Sequence, residues 1–97
     1  MTPGQFRQTL ARAEAPELPT PLQALWWAAK GEWDRAHKLV QDDDSAEAAW
    51  VHAYLHRAEG DLDNAGYWYA RSRRPPGTGA LDAEWDAIVT ALVAGSQ

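Results

Sequence analysis

The chain has 97 residues, 45% of them apolar, no cysteine and a formal net charge of −5. That length supports one modest core and a single domain over 1–97, and the missing cysteines exclude disulfides, thiolate nucleophiles and cysteine-based zinc or iron–sulfur sites. The acidic balance argues against nucleic-acid binding as a function, and the N-terminus lacks the apolar run of a signal peptide or membrane span, so a cytoplasmic protein without membrane contact is expected.

No stretch alternates apolar and polar residues with a period of two for long enough to suggest a sheet, so the expected class is all-α. A first helix is predicted from about Gln5 to Glu14, stopped by Pro16 and Pro19. A second starts with Thr20 as N-cap and Pro21 at the first helical position, and ends at Gly31. A third covers about Glu32 to Gln41, with Trp33, Ala36, Leu39 and Val40 facing inward and His37 at the margin. Asp44 and Glu47 have capping-box spacing and open a fourth helix that ends at Gly60. Asp61 caps a fifth helix running to about Arg73, on which Leu62, Ala65, Trp68, Tyr69 and Ser72 share one face. After "RPPGTG" a C-terminal helix, about 82–94, places Trp85, Ile88, Val89 and Leu92 together. The result is a bundle of five to six helices built from antiparallel hairpins, the first over about 20–43 and the second over about 44–73.

The two hairpins carry a common pattern. Gly31, Glu32, Trp33, Asp34 and Ala36 correspond to Gly60, Asp61, Leu62, Asp63 and Ala65. Glycine permits a tight turn, the acid sits at the positive end of the next helix, and alanine allows close helix approach. This arrangement resembles the second half of a tetratricopeptide repeat over roughly Leu22 to Ser72, with Ala65 and Tyr69, and Ala36 and Val40, at the Ala-x-x-x-Phe positions. The repeat's first-helix Trp-x-x-Leu-Gly-x-x-Tyr pattern is absent. The string "WVHAYLHRAEGDLDNAGYWY" also resembles the signature of a group of small bacterial proteins, which implies no activity.

The polar residues of the fourth helix stand out against its apolar sectors. Trp50, Ala46, Ala53 and Ala49 lie on one side with Tyr54 beside them, and Val51, Leu55, Ala48 and Ala58 lie nearly opposite, so this helix is expected between neighbours. His52, His56 and Glu59 share a narrow sector. Histidines at i and i+4 can offer two imidazoles to one zinc, and His37 or Glu59 could complete the set. Arg57 falls on an apolar side and calls for a partner, with Asp61, Asp63 and Trp50 in reach. On the fifth helix, Asn64, Tyr67 and Arg71 align as an amide, a phenol and a guanidinium.

The leading expectation is an interaction module of helical-hairpin type. It would bind a protein or peptide, or a second copy of the chain as a homodimer, through Trp50, Tyr54, Arg57, Asn64, Tyr67 and Arg71. Six tryptophans in so short a chain suggest exposed aromatic surface, with Trp26 and Trp27 foremost. No complete catalytic constellation is present, so the chain leans away from an enzyme, and no cofactor is expected. The alternative is a small metal-binding protein or enzyme using His37, His52 and His56. Nucleic-acid binding through Tyr67, Trp68, Arg71, Arg73 and Arg74 ranks last.

Overall fold

A computed structural model describes residues 1–95, and its regular secondary structure is all helical, with no strand among the described residues. Helix α1 (Pro3–Gln8) begins with a capping box in which the Thr2 hydroxyl accepts from the Gln5 amide and the Gln5 side chain accepts from the Thr2 amide. That box, with Pro3 at the helix start, opens α1 ahead of the predicted Gln5. A single 3-10 turn (Thr9–Ala11) then replaces the α-helix expected as far as Glu14. Phe6 is fully buried, and the Trp26 indole N–H donates to the Thr9 hydroxyl across the fold.

Helix α2 (Thr20–Ala29) is entered through Pro19, with Thr20 already helical and making no side-chain cap. The two prolines flanking Thr20 preset the backbone and stand in for the expected hydroxyl cap. Helix α3 (Trp33–Val40) follows. Helix α4 (Ala46–Glu59) is capped by Ser45 and not by Asp44: the Ser45 Oγ accepts from the Ala48 amide at 3.1 Å, while Asp43 holds the Ser45 amide at 2.9 Å. The serine hydroxyl thus takes the third amide of the helix and displaces the predicted Asp44–Glu47 box by one residue. Asp61 caps α5 (Leu62–Ser72) as expected, accepting from the Asn64 amide, and α6 (Leu81–Gly95) closes the bundle.

The duplicated pattern has one backbone solution. Gly31 and Gly60 both adopt left-handed φ, at 80° and 91°. At each turn the following acid's amide reaches back five residues, Glu32 to the Trp27 carbonyl and Asp61 to the His56 carbonyl, both at 2.9 Å. These bonds satisfy carbonyls that a helix end would otherwise leave open, and they fold α2 onto α3 and α4 onto α5.

Helix α4 is the centre of the molecule, packed against α2, α3, α5 and α6. Every residue from Val51 to His56 is buried, which only a helix surrounded by neighbours can achieve and which its two apolar sectors predicted. The main core joins Leu25 and Trp26 of α2, Val51 and Leu55 of α4 and Ile88 and Val89 of α6. A second seam of Ala53, Ala65 and Tyr69 lies between α4 and α5, where two alanines permit close approach.

Two packing expectations are corrected. Leu62 is 66% exposed and not inward-facing, because it is the first residue after the Gly60–Asp61 turn and the α4–α5 seam begins only at Ala65. Trp26, expected with Trp27 to be foremost in an exposed surface, is fully buried; Trp85 is buried as well, and the other four tryptophans are half-buried. Cations cover part of what the core does not. The guanidinium of Arg35 lies 4.2 Å from the Trp27 ring centre and that of Arg74 lies 4.1 Å from Trp50.

Candidate functional site

Three histidines meet where α3 crosses α4. His52 and His56 stand one turn apart on α4, and their rings stack with centroids 4.8 Å apart. His37, on the last turn of α3, reaches across so that its Nε2 lies 3.0 Å from the Nε2 of His52. One of these nitrogens donates and the other accepts. Ligand nitrogens of all three residues fall within 4.8 Å of one another.

Two indoles wall the cluster. Trp33, one turn before His37 on α3, stacks on His37 at 4.8 Å, and its Nε1–H donates to the Leu55 carbonyl of α4 at 2.7 Å. Trp68 of α5 stacks on His52 at 4.0 Å. The imidazoles are therefore held by three helices. His52 is 4% exposed, and its Nδ1 is a buried polar atom without a hydrogen-bond partner. Such an atom costs on the order of 1–3 kcal/mol.

Protonation follows from this geometry. Burial, and then repulsion from the imidazoles of His37 and His56, pushes His52 down to about 4. His37 is lowered as well, first by burial and then by His56, with Glu59 and Asp34 opposing. Near neutral pH both are uncharged, so their lone pairs are available to a Lewis acid. Glu59 occupies a different place from that of a direct ligand in the cluster. Its Oε2 lies 2.6 Å from Nδ1 of His56, on the opposite side of the ring from Nε2.

The residues proposed from sequence as a binding set do not converge. Tyr54 is 8% exposed and belongs to the main core, where burial raises its hydroxyl above the ordinary range. Arg57 pairs with Glu84 of α6 at 2.8 Å and donates to the Gly79 carbonyl, and not to Asp61 or Asp63. Glu84 also accepts from the Tyr69 hydroxyl, so this carboxylate ties α4, α5 and α6 together. Trp50 lies under Arg74, beside a shallow groove lined by Pro75, Pro76 and Thr78. Asn64 turns back to Asp61, while Arg71 donates to the hydroxyl of an exposed Tyr67 at 3.1 Å.

Sequence reasoning missed three participants: Trp33 and Trp68 as walls of the histidine cluster, and Glu84 as the partner of Arg57. The aromatic residues look like ordinary core in the helical pattern, and Glu84 lies 27 positions from Arg57, beyond any local signal. Among the described residues no helix is long and apolar enough to cross a membrane. No family model, curated protein or solved structure matches the chain.

Proposed function

We propose that this protein binds a divalent transition metal of the zinc class through His37, His52 and His56. The observation that carries the reading is the approach of three imidazoles from two helices, which brings one ligand nitrogen of each to within 4.8 Å of the others. Zinc–nitrogen bonds of about 2.0–2.1 Å place tetrahedral ligand atoms about 3.3 Å apart, so small ring movements suffice. An all-imidazole set suits zinc, cobalt, nickel or copper and offers no oxygen cage for calcium or magnesium. Three protein ligands leave a fourth position for water or another donor. Because the ligands come from α3 and α4, a bound ion would also clamp the first hairpin to the second.

Titration calorimetry with zinc on protein purified without an affinity tag tests this. One saturable site per chain is expected, with an increase in melting temperature that a chelator reverses. Absence of saturable binding, or undiminished binding by His37→Ala and His52→Phe variants, would overturn the reading.

A second reading keeps the helical hairpin as an interaction module, tetratricopeptide-like in its use of a repeated turn. What supports it is Tyr67, 55% exposed on α5 with Arg71 hydrogen-bonded to its hydroxyl and Asn64 on the same stripe. A second copy of the chain is the simplest occupant. Sedimentation equilibrium should then give a concentration-dependent dimer that Tyr67→Ala weakens. A monomer throughout would remove this form of the interaction.

A further inference from the structure

The three imidazoles are not equivalent, and the difference lies on the side of each ring that faces away from the cluster. His52 has no partner at Nδ1. His37 is held mainly by stacking against Trp33. His56 alone has an anion behind it, the Glu59 carboxylate at 2.6 Å from Nδ1. That contact is built into α4, since residues three apart on a helix are neighbours on its surface and the contact needs no loop to form. A carboxylate accepts but cannot donate, so the proton must reside on Nδ1 of His56. In the neutral form of that ring the lone pair is then confined to Nε2.

Resting on the metal-binding reading, we propose that Glu59 is the positioning residue of the centre. It fixes the tautomer and rotation of His56 so that Nε2 is presented to the ion. It also brings a negative charge to the edge of the site. The burial pattern suits both tasks: the His56 side chain is 8% exposed, whereas that of Glu59 is 39% exposed. The carboxylate keeps its hydration on one side while polarising a buried ring on the other, which avoids burying an isolated anion. Carboxylates placed behind metal-bound imidazoles typically contribute 10- to 100-fold in affinity. Asp61, whose carboxylate lies within 4.8 Å of the ligand atoms of His56 and Glu59, accepts from the Asn64 backbone amide with one oxygen and from the Asn64 side-chain amide with the other, and makes no hydrogen bond to His56.

The test compares wild type with Glu59→Ala, Glu59→Gln and Glu59→Asp by zinc calorimetry and by the visible spectrum of the cobalt-substituted protein. Glu59→Ala should bind about 10- to 100-fold more weakly and shift the cobalt spectrum. Glu59→Gln keeps an acceptor without the charge and should fall between wild type and alanine. The aspartate variant should recover part of the alanine loss. Melting of the metal-free variants separates this from a structural role, which would lower stability without altering affinity or spectrum. If wild type binds zinc and both Glu59→Ala and Glu59→Gln match it in affinity and spectrum, the role of Glu59 is refuted while the site stands. If wild type itself binds no metal, both readings fall.

Discussion

Acidifying the metal-free protein should destabilise it through His52, and the size of the effect follows from the site. In the unfolded chain this imidazole titrates near 6.5; in the fold it is pushed down to about 4 by burial and by its two histidine neighbours. Between those values the unfolded chain binds the proton and the folded chain does not, so stability rises with pH across that window. The contribution is fully present above about 6.5 and is lost as pH falls through about 4. At about 1.4 kcal/mol per tenfold change in proton affinity, the loss is on the order of 3 kcal/mol. His52 is 4% exposed, so solvent screening removes little of this. His37 is displaced in the same direction and adds to the effect, although the carboxylates of Glu59 and Asp34 moderate its share. Urea denaturation in the presence of a chelator, repeated at steps from about pH 7 to pH 4, measures the slope. A His52→Phe variant keeps an aromatic ring against Trp68 and cannot titrate. Its stability should fall less steeply over the same window, and equal slopes in the two proteins would refute the assignment.

Arg57→Met leaves the buried Glu84 carboxylate without its cation and should cost about 3–5 kcal/mol in chemical denaturation, most of it recovered when Glu84→Gln is added. Arg73 ends α5 with φ at 62°, a left-handed conformation without glycine's freedom, so Arg73→Gly should stabilise the protein by roughly 0.5–1 kcal/mol, measured as a raised urea midpoint. A Cβ at Gly77 would lie 2.2 Å from the Glu84 carboxylate, and Gly77→Ala should lower stability by about 1–3 kcal/mol, seen as a lower melting temperature.

The features legible in the sequence are those set over a few residues of chain. Gly31 and Gly60 mark both hairpin turns because only a residue without Cβ adopts that φ freely, and Asp61 marks the start of α5 because its carboxylate meets an amide three residues on. The i, i+4 placement of His52 and His56 is likewise a property of one helix. Where neighbouring residues competed for the same role, the boundary moved: Ser45 outcompeted Asp44 at the start of α4, and the Thr2–Gln5 box pulled α1 forward.

What the chain order leaves open is which distant groups share a space. His37 is 15 positions from His52, and their contact depends on how α3 crosses α4, which the packing of Trp33 on Leu55 and His56 determines. Arg57 sits on the same helix as the histidines yet faces α6, where Glu84 satisfies it and removes it from the exposed set. The tryptophans look excessive for so small a core until Arg35 and Arg74 are found lying over two of them. Local sequence determined the helices, their turns and two of the three imidazoles. Tertiary packing decided the rest, because a buried polar group takes its partner from whichever helix is adjacent in space.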